Sequence, residues 1–208
     1  MDIRSSKGRK AIMLVTIESI PARIDEKIRR MHQELPEPDP DFFAGMELRP
    51  SSLDRRQIGE IETALGGPLP DEFCRIASTY DLGGLELGGV VFGDESDFST
   101  FLLRQMIDPK ATWGPSGRPR ELLLIGASDG YLILLDTSNG RVFARLRDAP
   151  NAERRVVARD FATFFQGLAT LFLDEGLTDA DALARQVAAD TGSDPGAGFW
   201  VHRAKGFA

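Results

Sequence analysis

The chain offers little to thiol or imidazole chemistry. Its 208 residues include one cysteine, Cys74, and two histidines, His32 and His202. A single thiol excludes an intramolecular disulfide and any thiolate-rich zinc site. The histidines stand far apart, in the two terminal segments. A Ser/His/Asp or Cys/His arrangement would need one of them to reach a nucleophile in the core. No apolar run approaches the ~18 residues of a membrane-crossing helix, so no membrane association is expected. The opening MDIRSSKGRKAIMLV is basic and then briefly apolar, with no small-residue cleavage site, which argues for a cytoplasmic protein. Excess positive charge is missing as well: 32 Asp and Glu against 25 Lys and Arg give a net charge of -7. That disfavours nucleic acid, whose phosphates must be neutralised by Lys and Arg. No strand interleaves aromatic with basic residues, as single-strand binding requires. A basic protein partner suits the acidic balance.

What is present is ordinary globular material, 42% hydrophobic and 27% charged. The pattern divides into an N-terminal helical and proline-rich extension (1–50), an α+β domain (51–175), and a C-terminal helix and tail (176–208). In the first part, Ile20, Ile24 and Ile28 recur at four-residue spacing in a helix over 17–31, with Pro21 tolerated near its start. The acidic ELPEPDPDFF that follows suits neither helix nor central strand. Next come two helices, SSLDRRQIGEIETALGG with Ser52 as N-cap, and PLPDEFCRIASTYDLGG with Pro70 at its start and Asp71 and Glu72 in the first turn. LELGGVVFGD suggests one or two short strands broken at Gly88–Gly89. DFSTFLLRQMID suggests a short helix with Pro109 just past its end, and TWGPSGRPR a loop.

Three strands are expected at 121–126, 131–136 and 141–146. The second is apolar on both faces and therefore central. The third alternates, with Val142, Ala144 and Leu146 on one face. A helix capped by Asp160 carries Phe161, Phe164, Phe165, Leu168, Leu171 and Phe172. Another starts at Thr178 with a Thr178/Asp181 capping box and runs to about Asp190. The glycine-rich tail GSDPGAGFWVHRAKGFA is expected to be irregular, pinned by Phe199 and Trp200. The fold class is thus α+β: a mixed or antiparallel sheet around a meander at about 121–146, packed with helices and flanked by helical extensions.

The stretch LLLIGASDGYLILLD poses the main functional question. Gly126 and Gly130 frame a turn with a passing likeness to a dinucleotide loop. Such a loop must open a helix, whose N-terminus receives the pyrophosphate. YLILLD is six residues of strand-type sequence ended by TSNG, with no room for that helix. Asp129-Gly130 and Asn139-Gly140 are instead hairpin-turn signals.

Other candidates are weak. Asp94, Glu95 and Asp97 in GDESD could hold a hard cation but lack EF-hand spacing, so a solvated acidic turn is the better reading. Cys74, beside Phe73 and Ile76, suits the edge of a core and has no base in view. KGRK (7–10) and ERRVVARD (153–160) suit surface charge. No catalytic residue, cofactor site or metal site is singled out.

The ordered motifs resemble the SUKH superfamily, which includes a yeast regulator of cell-wall synthesis and many bacterial toxin-immunity proteins. The likeness rests on Leu69-Pro70 with Phe73, Gly83-Gly84, Ile125-Gly126 with Asp129-Gly130, Leu135-Asp136 with Gly140 and Val142, and Phe161 with Phe164-Phe165. It spans roughly 53–173. Two positions depart: Asp81-Leu82 where many members have Asn before the paired glycines, and no Gly-Asp after the first hairpin turn. The resemblance implies a binding role without catalytic residues to carry over. The expectation is an immunity protein that occludes a basic toxin domain, such as a nuclease. Charge density nominates the 34–41 arm and Asp81, Glu86, Asp94, Glu95 and Asp97 as the partner face. A regulatory scaffold with an endogenous partner is the second reading, and an enzyme using an unrecognised carboxylate site the third.

Overall fold

The structure, a computed structural model, describes residues 13–34, 43–94, 96–115, 117–174, 176, 178–194 and 198–206. The helices are α1 (Ile20–Glu34), α2 (Arg55–Leu65), α3 (Asp71–Thr79), α4 (Phe98–Ile107), α5 (Pro109–Trp113), α6 (Phe161–Leu173), α7 (Ala180–Thr191) and α8 (Phe199–Lys205). The strands are β1 (Glu86–Leu87), β2 (Val90–Phe92), β3 (Leu122–Ser128), β4 (Tyr131–Asp136), β5 (Val142–Leu146) and β6 (Arg155–Ala158). They form one antiparallel sheet in simple chain order, β1-β2-β3-β4-β5-β6. This is the α+β class that the sequence predicts.

Turn chemistry sets the meander. Gly88 and Gly89 take φ of 58° and 70° between β1 and β2, and Gly130 takes 78° between β3 and β4. At the β4–β5 turn the buried Asp136 accepts hydrogen bonds from the backbone N–H of Ser138 (2.9 Å), its hydroxyl (2.6 Å) and Asn139 Nδ2 (3.1 Å). The Leu-Asp…Asn-Gly motif is therefore a self-capped corner. Gly126 is small because β2 runs close beside it: a Cβ there would lie 2.6 Å from the carbonyl oxygen of Val91. A bulge between Leu124 and Gly126 loosens the ladder. The side chain of the buried Gln105 closes the gap, accepting from Leu124 N (2.9 Å) and donating to Leu124 O (2.7 Å). An amide side chain thus serves as a piece of strand.

The inner face of the sheet presents Leu123, Ile133, Leu135, Val142, Ala144 and Val157, all buried, to the phenylalanine-rich α6. Both terminal segments join that same core. Ile20, Ile24 and Ile28 of α1 are buried in it, and Val15 N donates to the Thr170 hydroxyl of α6 (3.1 Å). Gly167 of α6 leaves a hollow that Trp200 fills, and the indole N–H donates to Val157 O (2.9 Å). Arg203 reaches from α8 to Gly89 O (2.7 Å).

Several local expectations are corrected. The N-cap of α2 is Asp54, not Ser52, with Gln57 completing a capping box; the motif lies two residues further along. Pro109 opens α5 instead of following α4, because its fixed φ suits the first helical position and Asp108 caps Ala111. That helix takes Thr112 and Trp113 out of the predicted loop. The cap of α7 is Asp179, while Thr178 donates to Asp174. Leu146 is 53% exposed, beyond the buried part of its row. ERRVVARD carries β6, whose flanking arginines hide the buried Val157 and Ala158. The tail holds a helix, α8, because Phe199 and Trp200 gain more by burial than glycine costs in order.

Both sheet edges are occupied. Beside β1, Glu86 N donates to Gly45 O (2.6 Å). Beside β6, Asp194 N donates to Val156 O (2.9 Å), and Val156 N to the Asp194 carboxylate (3.1 Å).

Candidate functional site

Three of the acidic residues singled out from charge density gather at one corner, and the reason is local. Asp81 accepts from Gly83 N (2.9 Å) and so shapes the paired-glycine turn. A Cβ on Gly83 would lie 3.2 Å from both Asp81 Oδ1 and Phe98 N, so the turn lies against the start of α4. There Asp97 is the N-cap, accepting from Thr100 N (2.9 Å) and the Ser99 hydroxyl (2.6 Å). Asp94 accepts from the hydroxyl and N–H of Ser96 and pairs with Arg104 at 2.8 Å. Glu86 stands on β1, its backbone tied to Gly45. Glu95 and the 35–41 part of the acidic arm lie outside the described residues.

The hydrogen bonds tune these groups. Ser99 and Thr100 hold the Asp97 carboxyl down to about 2. For Asp94, partial burial pushes upward, but Ser96 and Arg104 outweigh it and the net direction is down. Arg104 neutralises Asp94, and Arg49 pairs with the neighbouring Glu47 (3.2 Å). Asp81, Glu86 and Asp97 have no cationic partner among the described residues. The corner therefore keeps an uncompensated negative charge, and hydrogen bonds fix the Asp81 and Asp97 carboxylates in place.

Elsewhere the reactive residues have structural surroundings. Burial, then Glu62 and Asp71, pushes the Cys74 thiol up to about 11, far from a nucleophile's range. His32 lies against Phe43 with the rings tilted (4.1 Å between centroids), and His202 meets Tyr131 edge-on (5.7 Å). Among the described residues no group of three or more His, Cys, Asp or Glu is arranged to hold a metal ion. No helix among them is long and apolar enough to cross a membrane.

Sequence reasoning missed two open clefts. One, of about 640 Å³, lies on the outer sheet face between Trp113, Leu124, Leu132, Arg145 and Arg147. The other, of about 600 Å³, lies between the α2–α3 corner and the start of β3, lined by Leu65, Gly67, Pro68, Arg118 and Arg120. Its only sequence signal is GRPR, which brings two guanidinium groups to one short loop. Among the described residues Glu121 is the one acidic lining residue there, and Asp148 the one in the first cleft. Neither brings two carboxylates together. Compared with models of known protein families the chain matches none, and it matches no curated protein.

Proposed function

We propose that this chain is a cytoplasmic protein-binding module of the SUKH type, an immunity protein that neutralises a basic toxin domain by covering it. The observation that carries the reading is the corner holding Asp81 and Asp97, with Glu86 on β1 as a further unpaired carboxylate. Fixed, unpaired carboxylates attract a basic surface from a distance and lose little freedom on contact. A nuclease is a fitting target, since a site that must attract phosphate is itself basic. The SUKH resemblance supports the same reading, because its motif residues have defined tasks in this fold: Gly83 seats the acidic turn and Asp136 builds the β4–β5 corner. Inhibition by occlusion needs no catalytic residue on the inhibitor.

The test compares the wild-type chain with the triple variant Asp81→Asn, Glu86→Gln, Asp97→Asn as bait in lysate of the native organism. Asn at 97 can still cap α4. The expected result is a basic, toxic protein retained at low salt, released at high salt, and retained far less by the variant. Once purified, that protein should be inhibited stoichiometrically by the wild-type chain. Equal capture by wild type and variant, or a captured protein whose activity the chain leaves untouched, would refute the reading.

A further inference from the structure

The cleft between the α2–α3 corner and the start of β3 belongs to neither the acidic corner nor the partner reading. Its two cations differ in a useful way. Arg118 is held rigid from one side: its Nη1 donates to the carbonyls of Pro119 (3.2 Å), Arg120 (2.8 Å) and Leu122 (2.9 Å). Its Nε and Nη2 have no partner among the described residues and are not buried from solvent. That edge of a guanidinium is the fork that meets an oxyanion with two parallel hydrogen bonds. Arg120, two residues on, is exposed and has no ion pair among the described residues. Glu121 pairs with Arg154 at 3.9 Å. The hydroxyls of Thr137 and Ser138 donate to Glu121 O and the Asp136 carboxylate, which leaves the guanidinium groups as the cleft's free donors.

The opposite wall is apolar and bare. Leu65 and Pro68 flank Gly66–Gly67, and a Cβ on either glycine would meet nothing within 4 Å. A volume of about 600 Å³ is of the size that holds a small organic molecule. Two cations at one end, one of them immobilised before any ligand arrives, and an apolar wall at the other suit a ligand with a charged head and a flat organic body. We infer that this cleft binds a small phosphate monoester, the phosphate on Arg118 and Arg120 and the organic part against Leu65–Pro68. Preorganisation of Arg118 by its own loop lowers the ordering cost of binding.

The experiment follows the Nε–H resonances of the arginines by NMR during titration with AMP, inorganic phosphate and adenosine. Arg118 also staples its loop, so the variants are Arg120→Gln, on an exposed side chain, and Gly67→Leu, at a glycine without positive φ whose new side chain would fill the cleft. The expected result is a saturable shift at Arg118 with AMP, tighter than with inorganic phosphate. Arg120→Gln should weaken it about tenfold, the worth of one charge-assisted contact, and Gly67→Leu should abolish it. Arg147→Gln, in the other cleft, should leave it unchanged. No saturation by about 10 mM AMP, equal affinity for AMP and inorganic phosphate, adenosine binding as tightly as AMP, or variants that bind like wild type would each overturn the inference.

Discussion

Gly167→Ala should destabilise this protein although it replaces glycine inside a helix, where alanine is ordinarily favoured by about 1 kcal/mol. A Cβ at 167 would lie 2.7 Å from Trp200 Cη2 and 3.1 Å from both Thr191 Cγ2 and Val187 Cγ1. Carbon atoms in contact prefer about 3.5–4.0 Å, so α7 and α8 must move off α6. Overpacking of this kind costs about 1–3 kcal/mol, and subtracting the helix preference leaves a net loss of up to about 2 kcal/mol. In a chain of this length that lowers the melting temperature by up to roughly 8 °C. Trp200→Phe removes the clashing ring carbon but also the hydrogen bond to Val157 O (2.9 Å), so alone it costs about 2–3 kcal/mol. The double variant should lose less than the sum, with a coupling of about 1 kcal/mol or more. Urea unfolding followed by circular dichroism measures all four proteins. Additivity within about 0.5 kcal/mol, or a stabilised Gly167→Ala, would show that the hollow over α6 does not set the seating of α8.

Two further outcomes follow from titratable groups. Asp97 has its pKa lowered from 3.8 to about 2, so the unfolded chain binds more protons between those values and stability rises with pH there. The advantage of wild type over Asp97→Asn in urea midpoint should be full above pH 3.8 and vanish as pH falls toward 2; a gap that does not change with pH would contradict the cap geometry. Cys74 has its thiol pushed from 9.0 to about 11, so in neutral or mildly alkaline buffer the folded chain should react with iodoacetamide at least about tenfold more slowly than the urea-unfolded chain, read by mass spectrometry. Equal rates would mean that the thiol is not desolvated.

Much of the fold is legible in the sequence where one residue type performs one local task. Asp129-Gly130, Asn139-Gly140 and Gly88–Gly89 mark turns because the chain needs positive φ there, and the structure uses Gly88, Gly89, Gly130 and Gly140 in that way. The periodic isoleucines of α1 and phenylalanines of α6 declare buried faces for the same kind of reason. What sequence reasoning missed depends on distant partners. The tail becomes α8 because Gly167 makes room for Trp200, a fact recorded more than thirty positions away. β6 is hidden because its arginines dominate the local pattern while only Val157 and Ala158 face the core. At the acidic corner, charge density located Asp81, Asp94 and Asp97. It could not say that Asp94 is paired with Arg104 while Asp81 and Asp97 have no cationic partner among the described residues. The cleft at Arg118 needs three separate segments to meet, and no window along the chain contains them.

The closure of both sheet edges bears on how this chain behaves in a crowded solution. A native strand with free N–H and C=O groups is a template on which other chains can grow as cross-β stacks. Here β1 is two residues long and bonded to Gly45, and Val156 of β6 is bonded on both its N–H and C=O to Asp194. Fibril growth from the folded state would first have to strip away one of these covers. High expression should therefore be tolerated while the fold is intact, with aggregation tracking unfolding instead of concentration. The same closure dictates how a partner must bind: it has to recognise side chains, because the sheet has no vacant edge at these positions to which a strand could be added.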